Sequence, residues 1–183
     1  MENKKINIVG QYNRYNIKKA NKEKKEKNNL CNDLKIFLKN KKTQIEELNK
    51  LYLVDTLPLN ETQKVITREL QKKRNSYRQQ DIKKNILNEE SLITTEQIIE
   101  KLVVSKLCCF YCSQNIWLIY DNYRDPYQWT LDRIDNSTGH NYNNVLISCL
   151  DCNLKRRTMK KEDYEFAKNL KVIKGDYTDR KEK

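Results

Sequence analysis

The sequence predicts an α+β fold: a mainly helical, basic N-terminal region, then a small zinc-stapled unit of two strands and a helix, then a C-terminal helix. Two observations lead to this prediction. Apolar residues recur at helical spacing before residue 104, and two Cys-x-x-Cys pairs bracket a segment rich in strand-forming residues. We expect four regions: a basic, disordered arm (1–28), a helical region and candidate nucleic-acid-binding arm (29–90), the zinc-stapled domain with its lead-in helix (91–160), and a C-terminal helix with a charged tail (161–183).

The predicted helices follow from apolar spacing and from capping signals. Apolar residues between positions 30 and 52 recur at helical spacing. Asn60 followed three residues later by Gln63 predicts the start of a second helix, and the two helices would form an antiparallel pair or a short coiled coil. Thr94 followed by Gln97 predicts a third helix, which leads directly into the cysteines.

The cysteine pairs predict a structural zinc site. Cys109 and Cys112 form one pair and Cys149 and Cys152 the other, with 36 residues between the pairs. Two such pairs supply the four thiolates of a tetrahedral zinc site. Cys108 is an alternative to Cys109, with a less usual spacing. Zinc would therefore clamp an inserted element.

The inserted element has the pattern of two strands followed by a helix. Residues 116–120 are apolar and strand-like, and residues 129–135 have the aromatic and β-branched content of a strand. Residues 136–141 have turn composition, and residues 145–149 predict another strand. Asp151 is a candidate N-cap for the helix that follows.

Charge and composition favour a polyanionic partner. The 183 residues include 37 Lys and Arg against 25 Asp and Glu, a net charge of +12. Residues 1–107 hold 24 basic and 14 acidic side chains, whereas residues 108–157 are neutral. A basic flank beside a neutral unit suits nucleic acid, although a compositional preference for lysine would give the same surplus. The three glycines do not have the spacing of a phosphate-binding loop.

No segment has the features of a membrane or export signal. The longest apolar stretches are a few residues long, and the N-terminus lacks the apolar core of a signal peptide. We therefore expect an intracellular protein without a transmembrane segment, a membrane partner or a small-molecule cofactor. In that compartment, clustered cysteines bind metal more often than they form disulfides.

The motifs of the cysteine unit resemble those of a known family. Thr-Leu-Asp-Arg-Ile-Asp-Asn at 130–136, Gly139, Asn144-Val and Cys-x-x-Cys-Asn-x-x-Arg at 149–156 resemble an HNH endonuclease of the ββα-metal fold. The motifs look most like the zinc-containing, Asp-Arg-Ile-Asp-type members of phages and large DNA viruses, and are distantly similar to recombination endonuclease VII. The resemblance covers roughly residues 105–160. It implies a DNA endonuclease acting on duplex or branched DNA, in host cytoplasm or nucleus if viral.

The resemblance also implies roles for individual residues. Asp132, at the end of the first strand, would bind a catalytic Mg²⁺ or Mn²⁺ ion. Asn153, one residue after a zinc ligand, would orient or bind the same cation, and Asn144 would brace the loop between the strands. The basic residues of the last helix would hold phosphates on either side of the cut; they are Lys155, Arg156 and Arg157.

One position departs from the family pattern. The residue after the strand-end aspartate is commonly a histidine that acts as general base, but here it is Arg133, whose guanidinium keeps its proton and can only hold a phosphate or neutralise charge. Four alternatives follow. His140 acts as the base, Asp135 accepts the proton, a metal-bound water needs no base, or the site is inactive. In the last case the protein is a zinc-stapled DNA-binding or packaging protein built on the same fold. The sequence does not predict the oligomeric state.

Overall fold

A computed structural model describes residues 39–53 and 58–170, together with Gly10, Asn13, Arg14 and Ile17. The described residues combine helices with a two-stranded antiparallel sheet, which confirms the predicted α+β class. Most of the predicted basic arm (1–28) and the tail after residue 170 lie outside the described residues. The elements are α1 (Lys41–Leu53), α2 (Glu61–Lys83), α3 (Thr95–Val104), β1 (Trp129–Arg133), a 3-10 turn (Tyr142–Asn144), β2 (Val145–Cys149), α4 (Leu150–Arg156) and α5 (Lys161–Asn169).

Two helices begin where the capping signals predict. The Asn60 side chain accepts a hydrogen bond from the Gln63 amide at 2.8 Å, and the Gln63 side chain accepts one from the Asn60 amide at 3.0 Å. Thr94 and Gln97 form the same reciprocal pair at the start of α3. Each cap satisfies amides that a helix start leaves unpaired, and is worth about 1 kcal/mol.

One apolar core joins the helices to the cysteine unit. Leu48 of α1 and Ile66 and Leu70 of α2 belong to the same buried cluster as Leu131 of β1 and the cysteine Cys152. The described part of the helical region 29–90 therefore shares one core with the strands, and its core residues stabilise both parts together.

Helix α2 is long but mostly polar. Of its 23 residues, those buried are Ile66, Leu70, Tyr77 and Asp81. None of the helices in the described ranges is long and apolar enough to cross a membrane.

Asp81 is a fully buried carboxylate on α2, which is otherwise mostly solvated. A buried carboxylate requires partners that compensate its lost hydration.

The sheet consists of β1 and β2 paired in antiparallel register. Strand β2 spans the predicted residues 145–149, and Arg133 of β1 lies opposite Val145. Strand β1 ends two residues earlier than predicted, because the backbone carbonyl of Asn144 accepts from the Ile134 amide and its side-chain oxygen accepts from the Asp135 amide. These bonds turn the chain away from the sheet.

The predicted strand at 116–120 is wrong for the described structure. This segment makes an isolated parallel bridge between Trp117 and Gln128 and no ladder. The buried side chain of Gln44 on α1 accepts hydrogen bonds from the amides of Leu118 and Ile119, at 2.7 and 3.2 Å. A side chain distant in sequence thus satisfies the backbone groups that a neighbouring strand would otherwise pair.

The predicted N-cap of α4 is also wrong. The cap is Cys149, whose Sγ accepts a hydrogen bond from the Cys152 amide at 3.3 Å. Asp151 lies within the first turn, where it forms an ion pair with Lys155 at 2.7 Å. The helix therefore starts at the cysteine pair itself.

Candidate metal centre and adjoining cleft

The four predicted zinc ligands lie together. The sulfur atoms of Cys109, Cys112, Cys149 and Cys152 all lie within 4.8 Å of one another, and those of Cys112 and Cys149 are 3.9 Å apart. Zinc–sulfur bonds of about 2.3 Å in tetrahedral geometry place sulfurs about 3.8 Å apart. The cluster can therefore bind zinc. Cys108 is outside it, with its Sγ 3.6 Å from the ammonium of Lys41.

The surroundings of the cluster shift the pKa values of its cysteines in different directions. Hydrogen bonding from Cys149, with help from the backbone amides of Cys112 and Tyr111, lowers the pKa of Cys109. Cys149 donates this hydrogen bond to Cys109. Donating the bond, together with burial, raises the pKa of Cys149. Four thiols this close cannot all ionise without a cation between them, and a bound dication favours the thiolate at every ligand.

The first cysteine pair also packs directly on the sheet. The Phe110 amide donates to the Ile147 carbonyl of β2 at 3.0 Å. The hydroxyl of Tyr111 donates a 2.7 Å hydrogen bond to the carboxylate of Asp132. The cysteine cluster is thus linked, through one side chain, to the residue predicted to bind the catalytic cation. Sequence reasoning missed Tyr111, since its role depends on a contact across 21 residues.

A cleft of about 460 Å³ lies between α2, the end of β1 and α4, and we call it the β1–α4 cleft. The four predicted catalytic residues line it: Asp132, Arg133, His140 and Asn153. Basic side chains lie at its rim, and Tyr77 of α2 lines its inner wall. The remaining lining residues are Gln80, Lys84, Leu131, Asn136, Leu154, Arg157 and Thr158.

Asp132 is held firmly by two partners. One carboxylate oxygen accepts from Arg156 at 2.9 Å and the other from Tyr111 at 2.7 Å. The side chain is almost completely buried, and this burial raises the pKa of Asp132 above its ordinary value. Each carboxylate oxygen has two lone pairs, so each retains one beyond its hydrogen bond to the protein.

Asn153 presents an oxygen that no described residue uses. Its side-chain nitrogen donates to the Thr130 hydroxyl at 3.1 Å and to the Leu131 carbonyl at 3.3 Å. A carbonyl can only accept, so the nitrogen must face it and the amide orientation is fixed. Within the described ranges, the Asn153 Oδ1 atom accepts no hydrogen bond, and hard cations prefer such oxygens.

The three basic residues of the last helix have different environments. Lys155 is exposed and paired with Asp151, and Arg157 is exposed at the rim of the cleft. Arg156 is buried and donates to Asp132 and to the Arg133 and Ile134 carbonyls. This geometry favours an internal role for Arg156 rather than a phosphate contact.

Arg133 and Asn144 both contact the turn between the strands. Arg133 donates to the carbonyls of Asn136 and Thr138, at 3.2 and 3.1 Å. Asn144 accepts from the Asp135 amide at 2.8 Å and donates to the Asp135 and Gly139 carbonyls. These bonds fix the turn that carries His140 into the cleft.

His140 and Asp135 differ in their access to the cleft. His140 is buried, its Nδ1 lies 2.7 Å from a carboxylate oxygen of Asp81, and its ring centroid lies 4.5 Å from that of Tyr77. Burial lowers the pKa of His140, which favours a neutral ring. Asp135 is exposed, does not line the cleft, and accepts from the Ser137 amide and hydroxyl. Sequence reasoning missed Asp81, which is 59 residues from its partner.

Comparisons with known proteins do not assign the chain to a family. No family model, no curated protein and no solved structure matches it.

Proposed function

We propose that this protein is a DNA endonuclease of the HNH, ββα-metal type, which hydrolyses phosphodiester bonds with a divalent cation. The observation that carries the proposal is the convergence of Asp132, Asn153 and His140 on one cleft. The order of elements supports it, because two antiparallel strands lie between the two clustered cysteine pairs and a helix begins at the second pair. We assign zinc to the cysteines as a structural ion.

The donor set of the cleft fits Mg²⁺ or Mn²⁺. Asp132 supplies a carboxylate and Asn153 an amide oxygen that accepts from no described residue, and both are hard oxygen ligands. Such a cation, when bound, would stabilise negative charge on the scissile phosphate and on the leaving oxygen. Arg156 and Tyr111 would hold the carboxylate in place, as the outer partners of metal ligands do.

The rim of the cleft suits a DNA backbone. Lys84 at the end of α2 and Arg157 after α4 are exposed and line the same cleft. Two cations at the rim of a metal site can hold consecutive phosphates and so fix the register of the substrate. Arg133, held by turn carbonyls inside the cleft, would neutralise charge in the transition state.

A second candidate function is a DNA-binding or packaging protein without activity on the same fold. Two features favour it: Arg133 stands where the usual base would be, and both carboxylate oxygens of Asp132 already have protein partners. The unused oxygen of Asn153 and the buried histidine in the cleft favour the nuclease.

Cleavage assays with matched variants test the proposal. Zinc-loaded protein is incubated with supercoiled, branched and single-stranded DNA in Mg²⁺ or Mn²⁺. We expect cleavage of at least one substrate, and Asp132→Asn should abolish it while keeping zinc, because the variant removes the charge and not the shape. Glu47→Gln, a buried carboxylate of α1, is the control and should stay active. Wild-type protein that binds DNA and cleaves none of these substrates would favour the inactive alternative.

A further inference from the structure

The β1–α4 cleft contains a carboxylate–histidine pair assembled from two distant parts of the chain. Asp81 comes from the last turn of α2 and His140 from the turn between the strands. The Asp81 side chain is fully buried, and His140 is 4% exposed. Because His140 lines the cleft, its ring contacts this carboxylate and also borders the space where we place the substrate.

Asp81 fixes both the position and the tautomer of the ring. One carboxylate oxygen accepts from the His140 backbone amide at 2.7 Å, and the other lies 2.7 Å from Nδ1. An ionised carboxylate can only accept, so Nδ1 must carry the proton. In the neutral ring Nε2 is then unprotonated, and it makes no hydrogen bond within the described part of the chain. The lone pair of Nε2 is available to accept a proton.

Neighbouring residues hold Asp81 and His140 in this arrangement. The Ile93 amide donates to the His140 carbonyl at 3.0 Å, and the Tyr77 ring packs against the imidazole. A Cβ atom at Gly139 would lie 2.9 Å from an oxygen of Asp81 and 2.8 Å from the Ile86 carbonyl. Glycine at this position is therefore what lets the turn approach the carboxylate.

We propose that His140 is the general base of the cleft and that Asp81 is its positioning residue, so that α2 completes the active site. This inference rests on the proposed nuclease function. In the step, Nε2 takes a proton from the attacking water as the water oxygen forms its bond to phosphorus. The bond from phosphorus to the leaving oxygen breaks, and the leaving oxygen takes a proton from solvent. Asp81 accepts the hydrogen bond from Nδ1 and so stabilises the imidazolium.

The variant Asp81→Asn tests the assignment through the tautomer. The His140 backbone amide can only donate, so the oxygen of the substituted carboxamide must face it, and the carboxamide nitrogen must face Nδ1. Because that nitrogen is a donor, Nδ1 has to accept, and the ring proton moves to Nε2. A protonated Nε2 can no longer act as base. The chain contains one histidine, so its ring ¹⁵N signals are unambiguous in the full-length, zinc-loaded protein.

We expect nitrogen NMR to show a protonated Nδ1 in the wild type and a protonated Nε2 in Asp81→Asn. Single-turnover DNA cleavage should fall by about 10²–10⁴-fold in Asp81→Asn and in His140→Ala. The double variant should be no slower than His140→Ala alone, because Asp81 acts through the histidine. Asp81→Glu should recover part of the rate, and Glu47→Gln is the control for loss of a buried carboxylate.

The outcomes separate the two proposals. A wild-type enzyme that cleaves DNA, with an Asp81→Asn variant that has the reversed tautomer and an unchanged rate, would overturn the inference and leave the nuclease function intact. A double variant much slower than His140→Ala would also overturn it, since Asp81 would then act by another route. Wild-type protein that cleaves no DNA would refute both proposals together.

Discussion

Tyr111 connects the cysteine cluster to the β1–α4 cleft. It lies between Cys109 and Cys112 in the sequence, and its hydroxyl donates to Asp132 at 2.7 Å. Its ring packs edge-on against Tyr164 of α5, with ring centroids 4.9 Å apart. A hydrogen bond from a packed side chain restricts the carboxylate to one orientation. We infer that Tyr111 positions Asp132 without touching the substrate.

Tyr111→Phe removes this hydroxyl and keeps the ring. Loss of a partner from a buried carboxylate costs about 1–3 kcal/mol of folding free energy. Cleavage or cation affinity should fall by about 10–100-fold, as for other outer partners of metal ligands. Denaturant unfolding and cation titration of the cleavage rate measure the two effects.

Tyr142→Phe is the matched control, because that hydroxyl contacts Glu100 and lies outside the cleft. It should leave the cation dependence unchanged. A Tyr111→Phe variant with wild-type rate and cation dependence would contradict the positioning role.

At the scale of elements, the local signals of the sequence predicted much of the structure. The capping pairs Asn60–Gln63 and Thr94–Gln97 depend on residues three apart, and both helices begin there. The cysteine pairs also depend on short spacing, and their sulfur atoms cluster as predicted. Such interactions can be predicted from sequence because the partners are fixed by the geometry of one turn.

The features that sequence analysis missed depend on contacts between distant elements. The segment 116–120 has strand composition, but Gln44 of α1 satisfies two of its amides from 74 and 75 residues away. Asp81 appears from sequence to be one more charge on a solvated helix, yet it is fully buried against His140. Neither contact has a periodic signal. Only the packing of α1 against segment 116–120 and of α2 against the turn that carries His140 creates them.

The cysteine cluster is the element whose loss should affect the fold most. A single hairpin and one short helix are marginal in isolation, so a bound zinc ion would supply much of their stability. Cys112→Ser or Cys149→Ser should lose zinc and lower the unfolding temperature. Cys108→Ser should leave the zinc content and the unfolding temperature unchanged, since the Cys108 sulfur lies outside the cluster. Elemental analysis and thermal unfolding check this prediction, and a metal-free wild type with an unchanged fold would contradict it.

At the scale of the whole molecule, the segment that carries half of the net charge (1–38) is distinct from the helices that contribute to the core. Helices α1 and α2 share their core with the strands, so deleting residues 1–90 would remove part of the fold as well as charge. Residues 1–38 hold 10 basic and 4 acidic side chains, half of the net charge of +12. A deletion of this segment is therefore the cleaner test of a nucleic-acid-binding arm.

Deleting residues 1–38 should weaken DNA binding and flatten its dependence on salt. Each phosphate contact that is lost reduces the slope of log affinity against log salt by about 0.9 on duplex DNA. Deleting residues 171–183, with 5 basic and 3 acidic side chains, is the control and should change the slope less. An unchanged slope after the first deletion would mean that the surplus charge reflects composition rather than DNA binding.

We propose that a second cation, distinct from the zinc assigned to the cysteines, supports DNA hydrolysis in the β1–α4 cleft. The most direct test is the rate of supercoiled plasmid nicking as Mn²⁺ is titrated, with zinc content measured in the same samples. We predict a rate that rises from zero and saturates with Mn²⁺ at constant zinc, and no such rise in Asp132→Asn. Nicking that is independent of added Mn²⁺, or equal in wild type and Asp132→Asn, would contradict the account.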